Sequence, residues 1–221
     1  MIGIKQLIFE GDLEEVAKSV QEIEQQNLAL FVYKGSTRMK AVLYSPEQVK
    51  KVFDTYPVFT DHESRRKAIQ DIRRGVVFGV FTANYESPID AYEVDTVAAE
   101  HSYGPFMYDL LSSLGGWIVR DTVGITNAAK KIWTYIFTKR NDWDREFLPE
   151  DYRETLPRKG NKSNRKNNPL NYKYKIQAPV PVENLMKKHN SFVSSINEPA
   201  KEVENTISAF GSLYFEKMYS Y

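Results

Sequence analysis

The sequence predicts an α+β fold in which a mixed, mostly antiparallel sheet is flanked by helices. Runs of β-branched and aromatic residues come in adjacent pairs, as in residues 28–33 and 39–44, which is typical of antiparallel hairpins. Other stretches place apolar residues at helical spacing, most clearly residues 127–139. Paired strands with amphipathic helices around them indicate a sheet that helices cover.

The composition indicates a soluble intracellular protein built around one main domain. The chain has 221 residues, 42% of them hydrophobic, and a net charge of +1, so no overall field selects nucleic acid or membrane as partner. It has no Cys and three His, which excludes disulfides and thiolate chemistry and does not suggest a metal centre. We predict neither a signal peptide nor a membrane span, and expect the cytoplasm as the compartment.

The first third predicts a strand, a helix, a hairpin and two further helices. Residues 1–9 form the strand, and Asp12 is placed to cap the helix that follows. Residues 35–37 turn the chain between the hairpin strands. Pro46 suits the first turn of the next helix, and residues 61–74 read as a charged, solvated helix containing His62.

The central segment predicts the order strand, strand, helix, strand, helix. Residues 76–83 are a buried strand, residues 84–90 a turn, and residues 91–99 a second strand. A helix opens at Gly104-Pro105 and ends at Gly115-Gly116, before a short strand at residues 117–119. Thr126 caps a helix from Asn127 to about Lys139.

The loop between the second strand and its helix is the best candidate binding site. Free backbone N–H groups at a helix start suit a phosphate or pyrophosphate, and Gly104 permits close approach. An ordinary strand–helix turn would have the same sequence features, so the loop alone does not establish a binding site. The carboxylates near it are Glu93, Asp95 and Glu100. Glu93 and Asp95 fit either a site or the solvated face of a strand.

The motifs VDTVAAEHSYGPFMYDLLSSL, GGWIVRD and TNAAKKIWTYIF together resemble the GNAT superfamily of acetyl-CoA-dependent N-acetyltransferases. His101 falls on that family's Arg/Gln position, Gly104 on its first Gly and Phe106 on its second Gly/Ala. Trp133 lies at or near the family's tyrosine, and Tyr135 two residues on. The combination also resembles a divergent GNAT-like branch encoded by tailed phages. The likeness covers about 65 residues well.

The resemblance implies a GNAT-like domain at residues 1–145 that transfers an acetyl group from acetyl-CoA to an amine on a protein or small molecule. Glu100 would take the proton of the amine, and Tyr135 would protonate the departing thiolate. The cofactor-binding set would be the strand end and the loop: Val97, Ala98, Ala99, His101, Ser102, Tyr103, Gly104, Pro105 and Phe106.

Residues 146–221 are expected to be a C-terminal extension packed on the domain or on a partner. Residues 158–175 carry seven Lys or Arg and no acid, and we interpret them as a surface loop, with residues 172–176 as a candidate strand. Helices are predicted at residues 182–189 and 198–209. The aromatic tail FGSLYFEKMYSY suggests a protein partner or a homo-oligomer.

A second functional hypothesis is a GNAT fold without catalysis, serving as a binding or structural module of a phage, in the virion or against a host protein. It rests on Phe106, Trp133 and the aromatic tail. A third, nucleic-acid binding through residues 158–175, ranks lower, and we expect no such partner.

The remaining residues of interest have structural interpretations. His189 is interpreted as a helix-end residue, and Arg120 with Asp121 as a turn with a local ion pair. Trp143 fits either an interface or a cover on the core.

Overall fold

A computed structural model describes residues 20–55, 75–100, 102–120, 125–153 and 166–219. The expected strand at residues 1–9, the cap at Asp12, the helix at 61–74 with His62, and Asp121 lie outside these residues. The described helices are α1 Val20–Gln25, α2 Pro46–Thr55, α3 Gly104–Gly115, α4 Asn127–Lys139, α5 Glu183–Ser195 and α6 Ala200–Tyr219. The described strands are β1 Ala29–Lys34, β2 Arg38–Tyr44, β3 Val77–Glu86, β4 Ala91–Ala99, β5 Ile118–Val119, β6 Trp143–Phe147 and β7 Tyr172–Ile176.

The seven strands form one open mixed sheet in the order β1-β2-β3-β4-β5-β7-β6. Strands β1 to β4 are antiparallel neighbours, β4 and β5 are parallel, and β7 pairs antiparallel with both β5 and β6. The predicted α+β class, with a mixed sheet flanked by helices, is confirmed. Residues beyond 145 contribute to the same sheet, because β7 inserts between β5 and β6.

The strands form where the sequence is richest in β-branched and aromatic residues, and the hairpin β1–β2 was predicted nearly to its ends. Strand β3 is longer than predicted: Asn84 to Glu86, expected as a turn, continue the ladder with β4. These residues adopt the extended conformation because pairing with β4 gives their backbone N–H and C=O groups hydrogen-bond partners. This outweighs the preference of their side chains for a turn. The turn itself is the short 3₁₀ segment Ser87–Ile89.

Two apolar clusters cover the two faces of the sheet. One joins the sheet to α3 and α4 through residues such as Met107, Leu110 and Trp133. The other joins the sheet to α2, α5 and α6 through residues such as Val52, Phe192 and Ile207. Each fully buried side chain of this size contributes roughly 1.5–3 kcal/mol of hydrophobic free energy. Each face of the sheet therefore contributes side chains to one of the two hydrophobic cores.

Helix α3 begins and ends where the sequence predicts. Pro105 stands in its first turn, where a missing N–H costs nothing, and the helix ends at Gly115. Gly116 has a φ of +82°, which an L side chain rarely adopts, so the chain reverses there into β5. Along α3 the residues Phe106, Met107, Tyr108, Leu110 and Leu111 are all buried.

Several expectations for the C-terminal part need correction. The strand expected at residues 172–176 is confirmed as β7, so the predicted surface loop 158–175 is wrong for its last residues: Lys173 is 9% exposed and Tyr174 is buried. Lys173 donates to the Ile89 carbonyl at 3.0 Å and lies 5.0 Å from the Trp117 ring. A strand in the sheet interior buries even a lysine stem. Residues 158–165 lie outside the described residues.

Helices α5 and α6 extend well past the predicted ranges 182–189 and 198–209. His189 is not at a helix end: it lies in the middle of α5, buried, with its Nδ1 atom 2.9 Å from the Tyr44 hydroxyl. Arg120 is also buried, and its Nε atom donates to the Leu170 carbonyl at 2.8 Å. Trp143, at the start of β6, is 5% exposed and belongs to the core.

Candidate functional site

The parallel strand β5 pairs only with the beginning of β4. Pairing is confined to Tyr92 with Ile118 and Glu93 with Val119. β4 then continues to Ala99, while β5 ends at Val119. Among the described residues, no strand pairs with residues 94–99 on that side.

The loop after β4 leads into α3 with a tight turn. The Glu100 N–H donates to the Phe78 carbonyl at 2.9 Å, which anchors the end of the strand, and the Tyr103 N–H donates to the Glu100 carbonyl at 3.0 Å. Ser102 has a φ of +75°, in the left-handed region. The strand and the helix start are thus held in a fixed relation. His101 lies outside the described residues.

The start of α3 offers free backbone donors. The Met107 N–H donates to the Tyr103 carbonyl at 3.1 Å. No carbonyl of the described chain accepts a hydrogen bond from the N–H groups of Gly104 or Phe106. Such donors, at the positive end of the helix dipole, can hold an anion. Gly104 itself is half-buried and Pro105 contributes no N–H.

The large side chains of the loop point into the protein. The Phe106 ring is 2% exposed within the core cluster of α3, so it does not cover the helix start. The Tyr103 ring packs 5.3 Å from the Phe78 ring, and its hydroxyl donates to Gln26 Oε1, just after α1. Of the predicted cofactor-binding residues, Ser102 to Phe106 can therefore contribute backbone more than side chain.

A β-bulge sets which way the end of β4 faces. Thr82 pairs with Thr96 but Ala83 pairs with Val94, so Asp95 is the extra residue. Because of the bulge, Val94 and Val97 both contact the cluster beneath α3, although they are three positions apart. Ala99 also faces that cluster, whereas Ala98 faces the opposite one. Val97, Ala98 and Ala99, the predicted strand residues of the cofactor site, lie in the part of β4 beyond its pairing with β5.

Glu100, the predicted base, is exposed at the end of β4. A residue that sequence reasoning missed stands near it. The Tyr214 hydroxyl of α6 is buried and makes no hydrogen bond of normal geometry, yet the nearby Glu100 carboxylate adds to burial in raising the pKa of Tyr214. No spacing could reveal this pair, because the two residues are far apart in the chain and meet through the packing of α6.

Tyr135 and Trp133 have different environments on α4. The Trp133 indole is buried, 5.2 Å from the Tyr108 ring and 5.4 Å from the Tyr174 ring, so it is part of the core. Tyr135 is half-buried at the margin of the same cluster. Tyr135 is therefore the more accessible of the two rings that the resemblance brings to this helix.

The other carboxylate candidates are engaged elsewhere. Asp95 is exposed, accepts from the Thr82 hydroxyl at 2.8 Å and lies 3.6 Å from Arg38, which fits the solvated face of the strand. Asp109, inside α3, has a pKa raised to about 6 by burial, which the adjacent Arg140 guanidinium only partly offsets. Within the described ranges, no three His, Asp or Glu side chains are grouped to hold a metal ion.

Comparisons of the chain with protein-family models, with curated proteins and with solved structures find no significant match in any of the three. The fold and site define the class of protein as α+β with a mixed, open, helix-flanked sheet. In the part of the chain that the structure describes, no helix has the length and apolar character needed to cross a membrane.

Proposed function

We propose that the chain binds acetyl-CoA along β4 beyond its pairing with β5 and at the start of α3, and that it transfers the acetyl group to an amine. The observation that supports the proposal is that two parallel strands pair only near the beginning of β4, and that β4 then leads into a helix start. β4 pairs with β5 at two positions among the described residues, and four residues connect the end of β4 to Gly104.

The two halves of this arrangement suit the two halves of CoA. The pantetheine arm is extended and carries amide groups, which can pair with backbone groups of β4 beyond Glu93 as an added strand would. The pyrophosphate is an anion that the free N–H groups of Gly104 and Phe106 can hold. The buried Phe106 ring leaves the approach to these donors open.

The chemistry follows from nucleophilic attack on a thioester. The amine nitrogen forms a bond to the carbonyl carbon, the carbon–sulfur bond breaks, and CoA leaves as a thiolate. In the proposed mechanism Glu100 takes the proton that the amine loses, and Tyr135 gives a proton to the sulfur. A backbone N–H of Val97 to Ala99 polarises the carbonyl. A GNAT-like fold, with this site between β4 and α3, is part of the proposal.

The decisive experiment is calorimetric titration with acetyl-CoA and CoA. We expect saturable binding that Gly104→Glu abolishes, because a carboxylate at the helix start repels the pyrophosphate. Thr134→Glu, which adds the same charge at an exposed position of α4, is the matched control and keeps binding. Circular dichroism confirms that both variants fold. Absence of binding at about millimolar CoA, which corresponds to a binding free energy weaker than about −4 kcal/mol, would contradict the proposal.

Catalysis is measured as release of free thiol from acetyl-CoA with amine-bearing peptides and small amines as acceptors. The chain has no Cys, so a thiol reagent gives no background from the protein. Glu100→Gln is expected to lower turnover at least about tenfold while CoA affinity stays unchanged, since a general base contributes 10²–10⁴-fold.

A second candidate function is a binding or structural module without catalysis, in a phage particle or against a host protein. The burial of Trp133 between two aromatic rings favours it, because the family's tyrosine position then holds no acid. This candidate predicts CoA binding without thiol release, or no CoA binding at all.

A further inference from the structure

A lysine and two serines meet where α6 lies against β2. Lys40 is two positions before Val42 in β2, so its side chain is on the face of the sheet that α6 covers. Ser208 and Ser212 are about one turn apart on α6 and share a helix face. The Lys40 Nζ atom lies 2.9 Å from the Ser208 Oγ atom and 3.0 Å from the Ser212 Oγ atom. It also donates to the Ser208 carbonyl at 2.9 Å.

The two serines differ in their exposure to solvent. Ser212 is exposed, whereas Ser208 is half-buried, so a molecule in solution can reach the Ser212 hydroxyl more easily. Lys40 is half-buried between the strand and the helix. The Ser212 Oγ atom also lies 3.2 Å from the Ser208 carbonyl oxygen, which is a contact within α6. An exposed hydroxyl and a partly buried amine are therefore held within hydrogen-bond distance of each other.

The amine of Lys40 is suited to accept a proton. Burial lowers the pKa of Lys40, and the positive charge of Arg38, two positions earlier in β2, lowers it further. Arg38 also lies 3.6 Å from Asp95, in an exposed ion pair of the kind that contributes little. Lysines whose pKa is lowered by burial act as general bases in enzymes.

The three oxygen contacts of Lys40 fit both protonation forms of its amine. The ammonium donates to all three oxygens, and the Ser212 hydroxyl then donates to the Ser208 carbonyl. The neutral amine donates to the two Ser208 oxygens and accepts from the Ser212 hydroxyl. A nucleophile and a base at such a distance are the signature of an activated serine.

We propose that Lys40 and Ser212 form a nucleophilic site that takes the acyl group of a small carboxylic ester. The Ser212 Oγ atom forms a bond to the ester carbonyl carbon while the Lys40 amine takes the hydroxyl proton. The bond from that carbon to the alcohol oxygen breaks, and Lys40 gives the proton to the departing alcohol. Water then hydrolyses the acyl-serine. Ser208 holds the amine through its carbonyl and hydroxyl oxygens and is a positioning residue.

This site is separate from the proposed acetyl-CoA site. Lys40 lies in β2, and β3 stands between β2 and β4 in the sheet. Two strand spacings, roughly 10 Å, therefore separate the two strands. The proposal does not depend on acetyl transfer from CoA, and each site can be removed by substitution while the other stays intact.

The test is covalent labelling of the full chain by a fluorophosphonate, which reacts with activated serines and spares ordinary ones. The serine oxygen forms a bond to phosphorus, fluoride leaves, and Lys40 takes the proton. We expect stoichiometric labelling that mass spectrometry places on Ser212 and that Ser212→Ala abolishes. Ser194→Ala is the matched control and should label at the unchanged rate. Ser194 is an exposed serine of α5 that donates to the Asn190 carbonyl four positions earlier, as Ser212 does to Ser208, but no lysine bonds to it in the described chain.

Two lysine variants distinguish a base from a structural contact between β2 and α6. Lys40→Met should slow labelling at least about tenfold, because a general base contributes 10²–10⁴-fold. Lys40→Arg keeps a charged donor that can hold α6, but a guanidinium does not lose its proton, so labelling should be equally slow. Lys34→Arg, at a lysine that donates to the Leu114 carbonyl at 3.0 Å, is the control and should label at the unchanged rate. Circular dichroism confirms that each variant folds.

The acyl step is tested with p-nitrophenyl acetate. We expect a burst of nitrophenolate from the unchanged chain and from Ser194→Ala, and none from Ser212→Ala. Equal bursts from all three would overturn the proposal. So would the absence of labelling at millimolar fluorophosphonate, a label on a residue other than Ser212, or an unchanged labelling rate in a folded Lys40→Arg variant.

Discussion

His189 on α5 and Tyr44 on β2 are joined by a buried hydrogen bond of 2.9 Å between Nδ1 and the hydroxyl oxygen. Their rings meet edge to face with centroids 6.0 Å apart. The bond satisfies two polar groups inside an otherwise apolar cluster. It also fixes α5 on the sheet.

Removal of this hydroxyl should destabilise the fold. In Tyr44→Phe the His189 nitrogen is left buried without its partner, which costs about 1–3 kcal/mol. The free energy of unfolding in urea measures the effect. Tyr33→Phe, at a ring that is 57% exposed, is the control and should change stability by less than about 0.5 kcal/mol. Equal losses in the two variants would contradict the role of the bond.

The same histidine should make stability fall at mildly acidic pH. Burial lowers the pKa of His189 below its usual 6.5, so the unfolded chain binds this proton more tightly than the folded chain. Stability from this group is present above pH 6.5 and is lost as the pH falls below it. We expect His189→Asn to reduce the slope of unfolding free energy between pH 7 and pH 5. An unchanged slope would mean that other groups cause it.

Asp109 should have the opposite effect on the pH dependence of stability. Burial raises its pKa to about 6 from 3.8, so the folded state favours the protonated form, and stability declines as the pH rises from about 4 to about 6. Arg140 has its better bonds to Asp142, at 2.7 Å, whereas the buried Asp109 Oδ1 lies 3.2 Å from an Arg140 nitrogen as an ion pair without a hydrogen bond. Asp109→Asn should therefore raise stability at pH 7, on the order of 1–2 kcal/mol. A loss at pH 7 would show that the Arg140 contact outweighs burial.

Gly211 marks the closest approach of α6 to the sheet. A Cβ atom there would lie 2.7 Å from Val42 Cγ2, so Gly211→Ala should push the helix away and cost about 1–3 kcal/mol. Val42→Ala removes the obstructing methyl groups and serves as the partner substitution. In a double-mutant cycle the two changes should compensate in part. Simple additivity of the two losses would contradict direct contact.

Thr126 should stabilise α4 as its N-cap. Its side chain accepts from the Ala129 N–H at 3.2 Å, and Thr126→Ala is expected to cost about 1 kcal/mol. Thr134→Ala, at an exposed position within the same helix, removes a hydroxyl without removing a cap and should be neutral or slightly stabilising. Thermal unfolding of both variants distinguishes them.

Local chemistry was enough to predict much of this fold. Strand β4, helix α3 and helix α4 lie where the sequence places them, because their signals are short-range: a β-branched run, Pro and Gly at helix ends, and a Thr cap. Strand β6 was missed, since the run WDREF has charged residues at three of its five positions. It is an edge strand, where such residues face solvent.

For the candidate site, the sequence alone placed a glycine-opened helix after a strand, with Glu100 between them. Only the tertiary structure decided that β5 pairs with β4 at just two positions, that Phe106 and Trp133 are buried in the core, and that Tyr214 lies near Glu100. It also decided the burial of His189 and Lys173. These relations depend on contacts between residues far apart in the chain. The local sequence around each residue does not reveal such contacts.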